Sequence, residues 1–124
     1  MIDTSLQAFR KDQDGCEIVA FADVAARTVL AWDSALKWPQ EHLDALCDLA
    51  ARALSVGAEG PQTDAVQTAI IARPTGCHVF VRAAPGLDEV LCCVFAPGAD
   101  IDGVLSGAVQ LCASLSGAGQ RERA

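Results

Sequence analysis

The chain has 124 residues, and its most reactive side chains are six cysteines, at 16, 47, 77, 92, 93 and 112, and two histidines, at 42 and 78. A zinc centre of the common kind draws its ligands in close pairs such as CxxC, and no such pair occurs. Cys92 and Cys93 are adjacent and do not readily bridge each other; on a strand they point to opposite faces. Cys77 and His78 are separated in the same way, so they cannot act as a pair. A cross-strand nucleophile or metal site joining His78 to Cys92 or Cys93 stays open wherever register brings them together. The sequence has no Walker A run, GxGxxG, HExxH or GxSxG. Asp88 and Glu89 fall at a turn and suit a solvated rim. These readings predict no catalytic residue, no cofactor and no metal, and therefore a protein that is not an enzyme.

Composition agrees. The chain is 52% hydrophobic and 20% charged, rich in Ala and Val, with no Tyr. One domain over 1–124 of this size removes roughly two thirds of its unfolded surface from water. A formal net charge of -7 disfavours nucleic acid and anionic membranes as partners. The first residues lack the basic end and apolar stretch of a signal peptide, and no apolar run approaches the ~20 residues that span a bilayer. A cytoplasmic protein without membrane insertion is the expectation, and free cysteines buried as small apolar residues fit a reducing compartment.

The elements that must position these residues follow from period and punctuation. Ile2, Leu6 and Phe9 mark a short amphipathic helix, which the polar turn from Lys11 to Gly15 ends. Glu17–Ala22 and Thr28–Trp32 are β-prone runs about a turn at Asp23–Arg27. Pro39 opens a helix that reaches about Leu54, with Glu41 placed well for its dipole. Three strands follow the breaker-rich loop from Gly57 to Thr63: Ala65–Ala72, Cys77–Arg82 and Glu89–Phe95. Asp100 caps a final helix to about Leu115, and the tail from Gly117 is expected to fray. Tight hairpins imply a mostly antiparallel sheet. Val90, Cys92 and Val94 fall on one side of the last strand and Leu91, Cys93 and Phe95 on the other. Both sets are apolar, so this strand belongs at the centre of a sheet covered on both faces. The cysteine pair then reads as one small core residue for each layer.

The two long helices differ. In the final one, Ile101, Val104, Leu105, Ala108, Leu111, Cys112 and Leu115 form a single stripe, opposite Asp102, Ser106, Gln110 and Ser114. Gly103 and Gly107 fall on the polar side, tolerated there or permitting a close neighbour. In the earlier helix, Leu43, Leu46, Cys47, Ala50 and Leu54 make a core stripe, which Leu46, Leu49 and Ala53 extend onto a second flank beside His42. The apolar arc approaches about 200°, where about 100° suffices for a surface helix. Glu41, Asp44, Asp48 and Arg52 hold the remaining face. Two apolar flanks imply two neighbours, the chain's own sheet and a second copy or a covering loop. Trp32 and Trp38 flank the entry to this helix, as packing residues or as interface anchors.

The runs EIVAFADVAARTVLAW, QEHLDALCDLAARAL and AVQTAIIARPTGCHVFVRAAPGLDEVLCCVFAPGADIDGVLSGAVQLCASL resemble the roadblock/LC7 domain in element order and hairpin placement. The resemblance implies an α+β fold: a five-stranded antiparallel sheet with one long helix on one face and the terminal helices on the other, roadblock/profilin-like. It also implies a homodimer formed by the long helix and the neighbouring edge strand. Here the interface would be His42, Leu46, Leu49, Ala53, Ala65, Gln67 and Ala69. Related domains bind small Ras-like GTPases or act as scaffolds in signalling complexes, so a small GTPase or signalling-complex protein is the expected partner. The alternative is a profilin-like domain that takes a small ligand or metal between the Cys77–Cys93 hairpins.

Overall fold

The strand that carries Cys92 and Cys93 lies in the middle of the sheet. In the computed structural model, the backbone is described for residues 2–55, 67–82 and 88–123, and side-chain surroundings for 4–55, 68–82 and 88–115. The elements are α1 (Ile2–Asp12), β1 (Cys16–Asp23), β2 (Thr28–Ser34), α2 (Gln40–Ser55), β3 (Gln67–Arg73), β4 (Gly76–Arg82), β5 (Glu89–Phe95) and α3 (Ile101–Arg123). Among the described residues, five strands form one sheet in the order β2-β1-β5-β4-β3, every pairing antiparallel.

Two apolar layers cover this sheet, as expected. Val90, Cys92 and Val94 join Ile18, Ala20, Ala22, Phe80 and the α2 residues Leu43, Leu46, Cys47, Ala50 and Leu54. Leu91, Cys93 and Phe95 join Val19, Phe21, Val79 and Val81 beneath Leu6 and Phe9 of α1 and Val104, Ala108 and Cys112 of α3. Phe21, Phe80 and Phe95 are among the largest fully buried side chains. Each stabilises the fold by about 1.5–3 kcal/mol of transfer energy before chain entropy is counted. The small residues between them let the layers close on the sheet, and a thiol at Cys92 or Cys93 fills space as a methyl-sized group does.

Local chemistry sets the turns. Asp23 Oδ1 accepts from the N–H groups of Ala25 and Ala26, both at 3.0 Å, and Arg27 takes a left-handed φ of 56°. The aspartate thus organises the β1–β2 turn without a glycine. The β3–β4 turn depends on Gly76, whose φ is 153°. A Cβ there would come within 2.6 Å of the Phe95 carbonyl oxygen. Pro39 acts one position earlier than the sequence suggests. Its carbonyl accepts from His42 and Leu43, so it caps α2 and the helix begins at Gln40.

Other boundaries shift. β3 starts at Gln67, and the expected start at Ala65 and the loop from Gly57 to Thr63 lie outside the described residues. α3 continues to Arg123, past the expected end near Leu115. Two glycines in its last turns cost only about 1 kcal/mol each, which propagation of an established helix outweighs. Gly107 lies against α1: a Cβ there would sit 3.4 Å from both Phe9 and Gln13. It serves close helix approach, while Gly103 is exposed beside the capping Asp100. Among the described residues, no helix is long and apolar enough to cross a membrane.

Candidate interaction surface

α2 lies over the sheet with its two flanks in different environments. On the flank toward the β1–β2 turn, Asp48 accepts from Arg27 at 2.7 Å and from Arg52 at 2.9 Å. Asp44 and Asp48 line the shallow surface beside Arg27. These pairs are exposed and contribute little stability, but they mark a wetted flank. The other flank carries His42, Leu49 and Ala53 in one line along the helix, with Leu46 between them closing onto the core.

That apolar flank overhangs a concavity of about 200 Å³ lined by Trp38, His42, Ala45, Leu46, Leu49 and His78. Trp38, half-buried, meets His42 edge-on with ring centroids 6.0 Å apart. His78 reaches the floor from β4 and stacks on Phe80 at 6.1 Å. Its Nδ1 is buried and has no hydrogen-bond partner among the described residues. Burial holds the His78 pKa below its usual value; Arg73 pushes the same way and Glu17 opposes them. The imidazole is therefore neutral at pH 7. Beyond it, Ala69 and Ile71 of β3 are half-buried against the α2 layer. β3 is an edge strand, so among the described residues no strand pairs with its outer side.

The thiols are poorly set up for chemistry. All six are free and buried. Burial pushes the Cys16 thiol up to about 11 and that of Cys93 well above the ordinary 9.0. Register places His78 opposite Val94 and Phe80 opposite Cys92, so only Cys92 shares a face with His78. Phe80, stacked on the imidazole, is the residue on β4 paired with Cys92. Among the described residues, no group of three or more His, Cys, Asp or Glu could hold a metal ion.

No family model and no curated protein matches the chain by sequence. Solved structures do match it in shape. A roadblock/LC7 domain from Streptomyces avermitilis superposes with a TM-score of 0.77 at 11% identity, covering 95% of this chain and 97% of that one. The fold is that of roadblock/LC7 domains. MglB with a tetrameric arrangement superposes with a TM-score of 0.72 at 20% identity, covering 92% of this chain and 84% of its own. MglC from Myxococcus xanthus gives 0.58 at 14% identity, covering 92% and 99%.

On this roadblock/LC7 scaffold the expected interface residues have separate fates. His42 is exposed, while Leu49, Ala53 and Ala69 are half-buried on the same side of the sheet. Leu46 is 4% exposed and belongs mainly to the core, touching the surface only as the floor of the concavity. Gln67 opens β3 opposite Arg82, and Ala65 lies outside the described residues. Sequence reasoning offered Trp38 as a packing residue or interface anchor, and missed Ala45, Ile71 and His78 as members of this surface. The resemblance implied Gln67 and Ala69; strand alternation continues that face to Ile71, and cross-strand pairing then carries it to His78. Trp32, on the edge strand β2, is 42% exposed and stands apart from the concavity.

Proposed function

We propose that this protein is a non-enzymatic interaction module of the reducing cytoplasm. It self-associates through the apolar flank of α2 and the edge of β3, and presents the resulting homodimer to a signalling partner. The observation that carries the reading is the adjacency of a half-buried apolar helix flank to a strand edge that no strand among the described residues pairs with. A two-fold axis beside that edge lets one surface cover itself, with strand edge and helix flank each meeting its own copy. The likeness to MglB with its tetrameric arrangement supports an assembling role. The partner expected from the roadblock/LC7 resemblance is a small Ras-like GTPase, bound as a protein surface, with no nucleic acid and no membrane insertion.

A small-ligand role is the competing reading. The cleft of about 330 Å³ beside the β3–β4 turn, lined by Arg73, Gly76 and Cys77, has room for one, and volume argues against it only at the α2 concavity. The concavity measures about 200 Å³, whereas drug-sized ligands occupy clefts of roughly 300–1,000 Å³. It suits an inserted side chain better than a free molecule. Sedimentation velocity at micromolar concentration tests the assembly, with a dimer expected for the native protein and a folded monomer for Leu49→Glu. A native protein that sediments as a monomer would sink the proposal. Capture from the native cell extract, with GTP or GDP present, tests the partner; recovery of no GTP-binding protein removes that part alone.

A further inference from the structure

We infer that acid pH opens this self-association surface, with His78 as the sensing group and His42 beside it; the inference rests on the homodimer proposed above. The chain has two histidines, one on a helix and one on a strand, and both line the same apolar concavity. The imidazoles pack there as flat, half-apolar rings, one against Trp38 and one against Phe80. A protonated His78 puts charge on a wall that docking removes from water, and desolvating an unpaired charge is costly. His78 is the more exacting group, because its buried Nδ1 faces no acceptor among the described residues, so an added N–H has nothing to bind.

The charges facing His78 do not rescue the cation. α2 presents His42, β5 presents Val94 opposite it, and Trp38 closes the near side. β3 contributes Arg73, which disfavours the cation, and β1 contributes Glu17, which favours it; burial outweighs both. The neutral form is thus preferred in the monomer already, and docking a second copy strips away the remaining water. Association therefore releases protons, and by linkage it weakens as pH falls below the ordinary histidine range. Bulk charge gives the opposite sign. At -7 per chain two copies repel, and acidification reduces that repulsion.

The test is the dimer Kd by sedimentation velocity at constant ionic strength, with circular dichroism confirming the fold at each pH. Between about pH 7.5 and about pH 5.5 the Kd is expected to rise on the order of tenfold, because each dimer excludes a proton at two copies of His78. His78→Gln is expected to flatten that rise. A titration of the His78 ring by NMR in a Leu49→Gln monomer, which adds no charge beside the ring, should give a midpoint above that in the native dimer. A native dimer whose Kd is unchanged or falls in acid overturns the inference and leaves the dimer standing. So does an unaltered rise in His78→Gln, or a dimer lost only together with the fold. A native protein that is monomeric at both pH values overturns the self-association itself, and the switch with it.

Discussion

Each cysteine is best understood by what a thiol does in its particular surroundings. Cys92 is fully buried in the α2 layer and has no hydrogen-bond partner among the described residues. Cys112 Sγ lies 3.3 Å from the Val81 carbonyl oxygen, to which it donates. A hydroxyl at the first position is stranded and at the second is satisfied. Cys92→Ser should therefore destabilise the protein by roughly 1–3 kcal/mol in urea unfolding, and Cys112→Ser by distinctly less. Burial has a second consequence. A thiol whose folded pKa is raised contributes stability that is complete below the unfolded value of 9.0; for Cys16 it is lost as pH climbs through about 11. The urea midpoint should fall between pH 8 and pH 10, over the range where unfolded thiols ionise at their ordinary 9.0. With no tyrosine in the chain, no phenol titrates across the same range. Native thiols should also label slowly at pH 8 and rapidly in denaturant. Fast labelling of Cys92 or Cys93 in the folded protein would restore the chemical reading of that pair.

At the scale of elements, the strands and both apolar stripes were legible because period reports burial directly. Adjacent apolar residues on β5 required two covered faces, and Val104, Ala108 and Cys112 required one buried stripe on α3. What escaped depends on partners that a single segment does not contain. Gly107 looked like part of a polar face because α1, which packs over it, is distant in sequence. His78 was weighed only against Cys92 and Cys93, because its neighbours in the concavity come from α2 and the Trp38 linker. The split between Leu46 and Leu49 was hidden too, since a helical projection gives an arc but no sheet width. That split is measurable. Leu49→Glu puts a carboxylate on a half-buried flank and should leave a folded monomer, whereas Leu46→Glu buries it in the core and should unfold the protein. Gly76→Ala tests the β3–β4 turn. Its Cβ meets backbone, which cannot swing aside as a flexible side chain does. A loss of about 1–3 kcal/mol is expected by urea unfolding, the cost of a strained backbone position.

On the scale of the whole molecule, an acidic chain with one apolar flank sets two long-range effects against each other. Two copies at -7 each repel when brought together. The surfaces proposed to meet are apolar, so salt screens little attraction there and mainly removes repulsion. An interface held by ion pairs behaves oppositely and loosens as salt rises. The described ion pairs of α2 lie on its other flank, with Arg27 and Asp48 about half exposed. Self-association should therefore tighten with salt, by a few-fold between about 20 mM and about 300 mM, as the Debye length falls from roughly 20 Å to below 10 Å. Sedimentation equilibrium at pH 7.5 across that range reads the effect directly. Tightening argues that the apolar flank is the contact, and loosening moves the contact to the Arg27–Asp48 side. The same titration separates assembly from partner binding. A basic partner attracted by the acidic surface dissociates as salt rises, while the homodimer beneath it becomes firmer.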